Sequence, residues 1–150
     1  MENKFIAKEL FTTTNKMRRL LDKSHQKNDL YLSQARVVTY LYNKQGESIY
    51  QSDLEKHFEI RKASVSGLLD TLTKLELISR VESKTDKRRN KIVLTDKGIE
   101  KAIVAIETIK SFEEQLANEI TNDEMNILNE ILNKINKWII EKENDDEKFI

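Results

Sequence analysis

Between Val65 and Leu94 the spacing of apolar residues changes abruptly, and few folds accommodate that change. Val65, Leu68, Leu69, Leu72 and Leu75 recur at intervals of three and four, the period of a helix with one buried face. Directly afterwards Ile78, Arg80 and Glu82 alternate with Ser79, Val81 and Ser83, and Ile92 and Leu94 alternate with Lys91 and Val93, the period of two expected of strands. The charged stretch KTDKRRN separates the two runs, so they read as a hairpin with a basic loop. In front of the helix, QSDLEKHF reads as a brief helix anchored by Leu54 and Phe58, joined to it through the turn EIRK. Two helices with a tight connection, followed by a two-stranded ribbon, make a winged helix-turn-helix candidate.

The flanks are helical. Ile6, Leu10, Met17, Leu20 and Leu21 fall on one side of a long helix from Lys4 to about His25, and Ser33 is the expected cap of a helix that turns Val37, Val38, Leu41 and Tyr42 inward. The segment GESIY is short and extended. Thr95 is positioned to cap a long helix carrying Ile99, Ala102, Ile103, Ile106, Ile109, Phe112 and Leu116. Thr121 followed by Glu124 is a capping box, and the helix it opens bears Leu128, Ile131, Leu132, Ile135, Trp138 and Ile139. The fold class is therefore mainly α with a small β-wing. We expect a single domain over 1–150: a winged-helix lobe at about 30–98, flanking helices at 1–29 and 99–142, and an acidic tail at 143–150.

Composition narrows the function. The chain of 150 residues has no cysteine, which excludes disulfides, Cys-ligated metal sites and thiol chemistry, and suits the interior of a reducing cell. Its longest apolar run is the five residues AIVAI, far short of a membrane span, and MENKFIAKEL lacks the apolar core of a signal peptide, so a cytoplasmic location without membrane contact is expected. Lysine and arginine total 26, as do aspartate and glutamate. The balance hides an asymmetry, because residues 61–91 are basic whereas the last third is acidic and ends in EKENDDEKFI. A basic segment on a helix-turn-helix and its loop suits a polyanion. No phosphate-cradling glycine loop, zinc-protease motif or nucleophile elbow is present, so no enzyme and no cofactor is expected. The alternation Glu55, His57, Glu59 would not place three ligands on one helix face, so no metal is expected either.

Two stretches, IRKASVSGLLDTLTKLELISR and TDKRRNKIVLTDKG, resemble the MarR family of winged-helix transcriptional regulators, the first its recognition helix and the second its wing. The wing match is the more specific: Asp86, any residue, Arg88, a short strand ending in Leu94 and Thr95, and Gly98 three residues beyond. The resemblance implies that Arg88 enters a DNA minor groove, where narrow A·T-rich stretches attract a guanidinium, and that Asp86 orients it. It also implies a twofold dimer and, in many members, a small aromatic or anionic effector bound beside the dimerisation helices.

Several positions depart from the pattern. Glu76 stands where a glycine usually ends the recognition helix. Arg61 and Tyr50 occupy cap positions usually held by Ser or Thr, each forgoing about 1 kcal/mol. Gly67 lies inside the recognition helix at a cost on the order of 1 kcal/mol relative to Ala.

The residues themselves suggest how double-stranded DNA would be held. With Val65, Leu68 and Leu72 inward, Lys62, Ala63, Ser64 and Ser66 face a major groove, where lysine and serine donate to base edges or phosphates and the alanine methyl meets thymine. Lys84, Lys87, Arg89 and Lys91 suit phosphates. Ile6, Leu10, Met17, Ile120, Leu128, Leu132 and Ile139 are the dimer-interface candidates, because the outer helices carry more apolar stripe than one small lobe covers. Arg18, Arg19, Tyr40, Tyr42 and Phe112 are candidates for an effector cleft. The rival reading is a protein-binding winged helix, an adaptor or antirepressor, since fold alone does not set function.

Overall fold

The computed structural model describes residues 5–85 and 89–145. Among them, six α-helices and one two-stranded sheet follow in the order α1 (Ile6–His25), a 3-10 turn (Gln26–Asn28), α2 (Leu32–Asn43), α3 (Gln51–Phe58), α4 (Lys62–Lys74), β1 (Ile78–Glu82), β2 (Asn90–Leu94), α5 (Asp96–Asn118) and α6 (Asn122–Asn144). The chain divides into two compact units, one up to Ser111 and one from Phe112 onward, with the boundary inside α5.

The first unit closes around Leu54, Leu69 and Leu72, all fully buried, joined by Val37, Val38, Leu41, Val65, Leu77, Ile78, Ile92 and Leu94. Each large aliphatic side chain removed from water contributes roughly 1.5–3 kcal/mol, which is what draws the short helices together. The strands pair antiparallel with Ile78 opposite Leu94 and Arg80 opposite Ile92. This register sends Ile78, Ile92 and Leu94 into the core. The GESIY segment runs extended beside them, and the Ile49 carbonyl accepts the Ile92 amide at 2.7 Å.

Helix ends depend on local chemistry, with one departure from expectation. Ser33 does not cap α2. Its N-cap is Tyr31, whose amide donates to the Gln34 side chain at 3.0 Å, while the Leu32 amide donates to the Asp22 carboxylate of α1 at 2.7 Å. The cap thus arrives from a neighbouring helix, which position along α2 could not reveal. Thr95 caps α5 by accepting the Gly98 amide at 3.0 Å, and Thr121 and Glu124 exchange both bonds of their box.

Asp29, Glu59 and Glu76 all have positive φ, near 50–60°. Each sits at the end of a helix or 3-10 turn, and in each case the next amide returns five residues, Leu30 to His25, Ile60 to Glu55 and Leu77 to Leu72. After α4 the Leu77 amide returns to the Leu72 carbonyl and the Glu76 amide to the Thr73 carbonyl, both at 3.0 Å. This is a Schellman closure with glutamate in glycine's usual place, and its two apolar partners, Leu72 and Leu77, are buried. The helix therefore stops where a glycine would have stopped it. Leu75, assigned to the inward stripe, instead caps this turn and is exposed.

The start of α5 packs through small residues. Gly98, Ala102 and Ala105 are its buried positions, whereas Ile103, expected in the stripe, is exposed. A Cβ on Gly98 would overlap the carbonyl oxygen of Leu77, so the helix approaches the β1 entry too closely for any side chain. Nearby, Lys101 Nζ donates to the Asn28 carbonyl at 2.8 Å, and Asn28 Nδ2 donates to the Lys101 carbonyl at 2.9 Å. His25, at the end of α1, is fully buried with neither ring nitrogen hydrogen-bonded among the described residues. Burial holds its pKa below the ordinary 6.5, opposed by the nearby Asp22 carboxylate.

In the second unit α6 has no buried residue. Met125, Ile127, Leu128, Ile131, Trp138, Ile139 and Ile140 are all exposed, as are Phe5 at the N-cap of α1 and Ile6, Leu10, Phe11, Met17 and Leu20 on α1 of the first unit. Of the interface candidates, only Ile120 and Leu132 are half-buried.

Candidate nucleic-acid interface

The inward stripe of α4 turns the start of that helix outward, leaving Lys62, Ala63 and Ser64 exposed. No side chain caps the helix at Arg61, so its first amides carry the positive end of the helix dipole without an internal acceptor from a cap. Ser66 is half-buried and already engaged: its hydroxyl accepts from Gln51 Nε2 at 2.8 Å, linking α3 to α4. Its own proton remains available to donate.

Alternation along the ribbon decides which wing side chains join this face. Arg80, Asn90 and Ile92 share one side of the hairpin. Together with Tyr50, Gln51, Ser52, Glu55, Lys62, Ser66, Leu69 and Arg89 they line a cleft of about 400 Å³ between the start of α3, α4 and the strands. Three cations and several hydroxyl and amide groups face one carboxylate, an arrangement suited to an oxyanion such as a phosphodiester. Arg80 pairs with Asp70 of α4 at 3.0 Å on the surface. Arg89 is held back against α3, its guanidinium carbon 4.0 Å from the Tyr50 ring centre and its Nη2 donating to Ser52 Oγ at 3.2 Å.

Lys91 points to the other side of the ribbon, by a smaller depression lined by Lys44, Glu47 and Ile49. Lys84 is exposed in the loop after β1. Asp86, Lys87 and Arg88 lie outside the described residues.

A second cleft, of about 380 Å³, lies beside α1 and is lined by Arg18, Asp22, Tyr31, Leu32, Ser33, Arg36, Val37, Phe58, Ile60 and Leu68. Of the five effector candidates, only Arg18 borders it. Tyr40 instead lies tilted against His57, ring centres 4.3 Å apart, and meets Phe58 edge-on at 5.8 Å, while Tyr42 packs against the core. Arg19 and Phe112 are not among its walls. Arg36, which sequence reading missed, caps the Phe58 ring at 4.9 Å. Its signal was position 36, four residues before Tyr40 on the exposed side of α2, but nothing in the sequence indicated which aromatic it would meet.

Among the described residues no three His, Asp or Glu side chains are placed to hold a metal, and no helix is long and apolar enough to cross a membrane.

Residues 28–89 match a sequence model of the MarR family. The HTH-type transcriptional repressor YetL of Bacillus subtilis (strain 168) is 27% identical over 89 residues, covering 59% of this chain and 53% of YetL, so the match spans about half of that relative. Staphylococcus aureus MepR, solved as a complex with DNA, superposes with a TM-score of 0.85 at 24% identity, covering 90% of this chain and 98% of MepR. The heme sensor PefR of Streptococcus agalactiae, solved with heme, superposes with a TM-score of 0.67 at 26% identity, covering 91% of this chain and 94% of PefR. The fold is theirs: a winged helix-turn-helix preceded and followed in the chain by long helices.

Proposed function

Because this chain belongs to the MarR family of winged helix-turn-helix transcriptional regulators, we propose that it is a homodimeric, cytoplasmic repressor that binds a pseudo-palindromic operator in double-stranded DNA. The observation that carries this reading is the continuity of the exposed start of α4 with the cleft where Lys62, Arg80 and Arg89 converge. In the proposed complex Lys62, Ala63, Ser64 and Ser66 meet the major groove, and Lys84 and Lys91 of the basic wing approach the backbone, while Arg89 stays engaged with Tyr50 and Ser52. By resemblance, Arg88 enters the minor groove with Asp86 orienting it and Lys87 on a phosphate.

The exposed stripes of α1 and α6 support the dimer. A soluble chain seldom leaves so many large apolar side chains in water, and a second copy is the partner that removes them. The cleft beside α1 supports an effector: two guanidinium-bearing side chains and the Phe58 and Tyr31 rings suit a small aromatic anion.

Selection of the purified chain against a randomised DNA pool, followed by titration of the enriched duplex at two salt concentrations, tests the proposal. A pseudo-palindrome with half-sites about one turn, roughly 34 Å, or a multiple apart is expected, with affinity falling steeply with salt. Enrichment of no motif, with only weak sequence-blind binding, refutes it and favours the protein-binding adaptor. Sedimentation tests the dimer, and release of the operator by arylcarboxylates tests the effector.

A further inference from the structure

Tyr50 stands at the N-cap of α3 but does not cap it. Its amide donates to the Asp53 carboxylate at 2.8 Å, and its side chain is directed to the wing. The phenol oxygen lies 3.2 Å from Ser83 Oγ, just beyond β1, and Ser83 Oγ is in turn 3.1 Å from Thr85 Oγ1. The ring face carries the Arg89 guanidinium, just before β2, at 4.0 Å, and that guanidinium reaches Ser52. The Ser83 amide donates to the Arg89 carbonyl at 3.2 Å, so the two stems are also bonded to each other. One side chain thus holds both ends of the wing loop against the start of α3.

We propose that Tyr50 is the positioning residue of the wing, fixing the angle between the wing and the DNA-facing start of α4 before DNA arrives. The inference rests on the DNA-binding reading and deepens it. Serine or threonine at this position would supply a capping hydroxyl, but neither has a ring to carry Arg89 or the reach to meet Ser83. Arg89 accordingly acts as a strut and not as a free phosphate ligand. A wing held in place in the free protein loses less freedom on binding than one ordered by DNA, and that difference favours the operator on which helix and wing must fit together.

The test uses the full chain, the operator obtained by selection and an unrelated duplex of equal length. Tyr50→Ser restores a capping hydroxyl, so its melting temperature should stay near that of the parent. Its operator affinity should fall about tenfold, about 1.4 kcal/mol, with binding to the unrelated duplex changed less than about twofold. Amide exchange at Ser83 and Asn90 should quicken. Tyr50→Phe keeps the ring and should lose only about two- to threefold, and adding Arg89→Ala to Tyr50→Ser should cost little more, because both remove one unit. Equal loss on both duplexes, or a salt slope reduced by about one in Arg89→Ala, would make Arg89 a direct phosphate ligand and overturn the proposal. Unchanged operator affinity and wing exchange in Tyr50→Ser would overturn it too. If the parent selects no motif, the DNA reading fails, and wing exchange in the free variants still decides whether Tyr50 holds the wing.

Discussion

Gly67 and Gly98 both lie inside helices, so the same change, glycine to alanine, gives two opposite predictions in one protein. At Gly67 in α4 an added Cβ meets nothing within 4 Å. Alanine there removes only the entropy cost of a helical glycine, a gain of about 0.5–1 kcal/mol. At Gly98 in α5 the Cβ would overlap the Leu77 carbonyl oxygen and lie 3.0 Å from both the Leu77 carbonyl carbon and Leu94 Cδ2. That oxygen also accepts the Thr95 amide at 3.0 Å, and the Leu77 amide is tied to Leu72, so the β1 entry cannot retreat without stretching a bond. Overpacking costs about 1–3 kcal/mol and a weakened hydrogen bond about 1, against a helix-propensity gain of about 1, which leaves Gly98→Ala destabilised by about 1–3 kcal/mol. For a chain of this length the melting temperature should fall roughly 2–12 °C for Gly98→Ala and rise roughly 1–4 °C for Gly67→Ala. Calorimetry at one fixed protein concentration measures both, since the proposed dimer would make melting concentration-dependent. An unchanged or raised melting temperature for Gly98→Ala would refute the steric account of Gly98, and a lowered one for Gly67→Ala would refute the open-space account of Gly67.

Other outcomes follow from the helix ends and the buried polar groups. Glu76→Gly relieves a left-handed glutamate but loosens the unfolded chain, for a net gain of about 0.5–1 kcal/mol; a lower urea midpoint would contradict this. His25 titrates near 6.5 when unfolded and lower when folded, so unfolded chains bind the extra proton. Stability from the neutral imidazole is full above about 6.5 and declines as the pH falls through that value toward the folded-state pKa, by at most about 1.4 kcal/mol per pH unit. His25→Leu should flatten that limb in urea unfolding at pH 7.5, 6.5 and 5.5, and an unaltered slope would reject the assignment. Lys101→Met should cost about 1–2 kcal/mol by removing the donor to the Asn28 carbonyl. Asp29→Asn, which removes only the outer ion pair at 3.7 Å, should change the urea midpoint little; equal effects would show that the ion pair, not the carbonyl bond, holds α5.

Much of the architecture was legible because it is local. The bounds of α3, the alternation of both strands, the Thr95 cap and the Thr121–Glu124 box each depend on residues within a few positions of one another, and each stands where the pattern placed it. Glu76 was legible as an anomaly but not as a solution, because the closure that holds it left-handed depends on Leu72 and Leu77 both reaching the core. The α5 stripe was misread at Ile103 for a related reason: hydropathy favours large side chains, while the packed face is chosen by how closely α5 approaches Leu77, which only Gly98, Ala102 and Ala105 permit.

The site divides along the same line. Periodicity alone turned Lys62, Ala63 and Ser64 outward, since one helix's inward stripe determines its outward face. Tyr50 and Arg89 are 39 positions apart, and Asp22 caps a helix that begins ten residues later. No periodicity links such pairs. Tyr50 and Arg89 meet because burial of Leu54, Leu69 and Ile92 draws α3, α4 and the ribbon together, and only in that packed arrangement does a tyrosine at a cap position become the anchor of a wing.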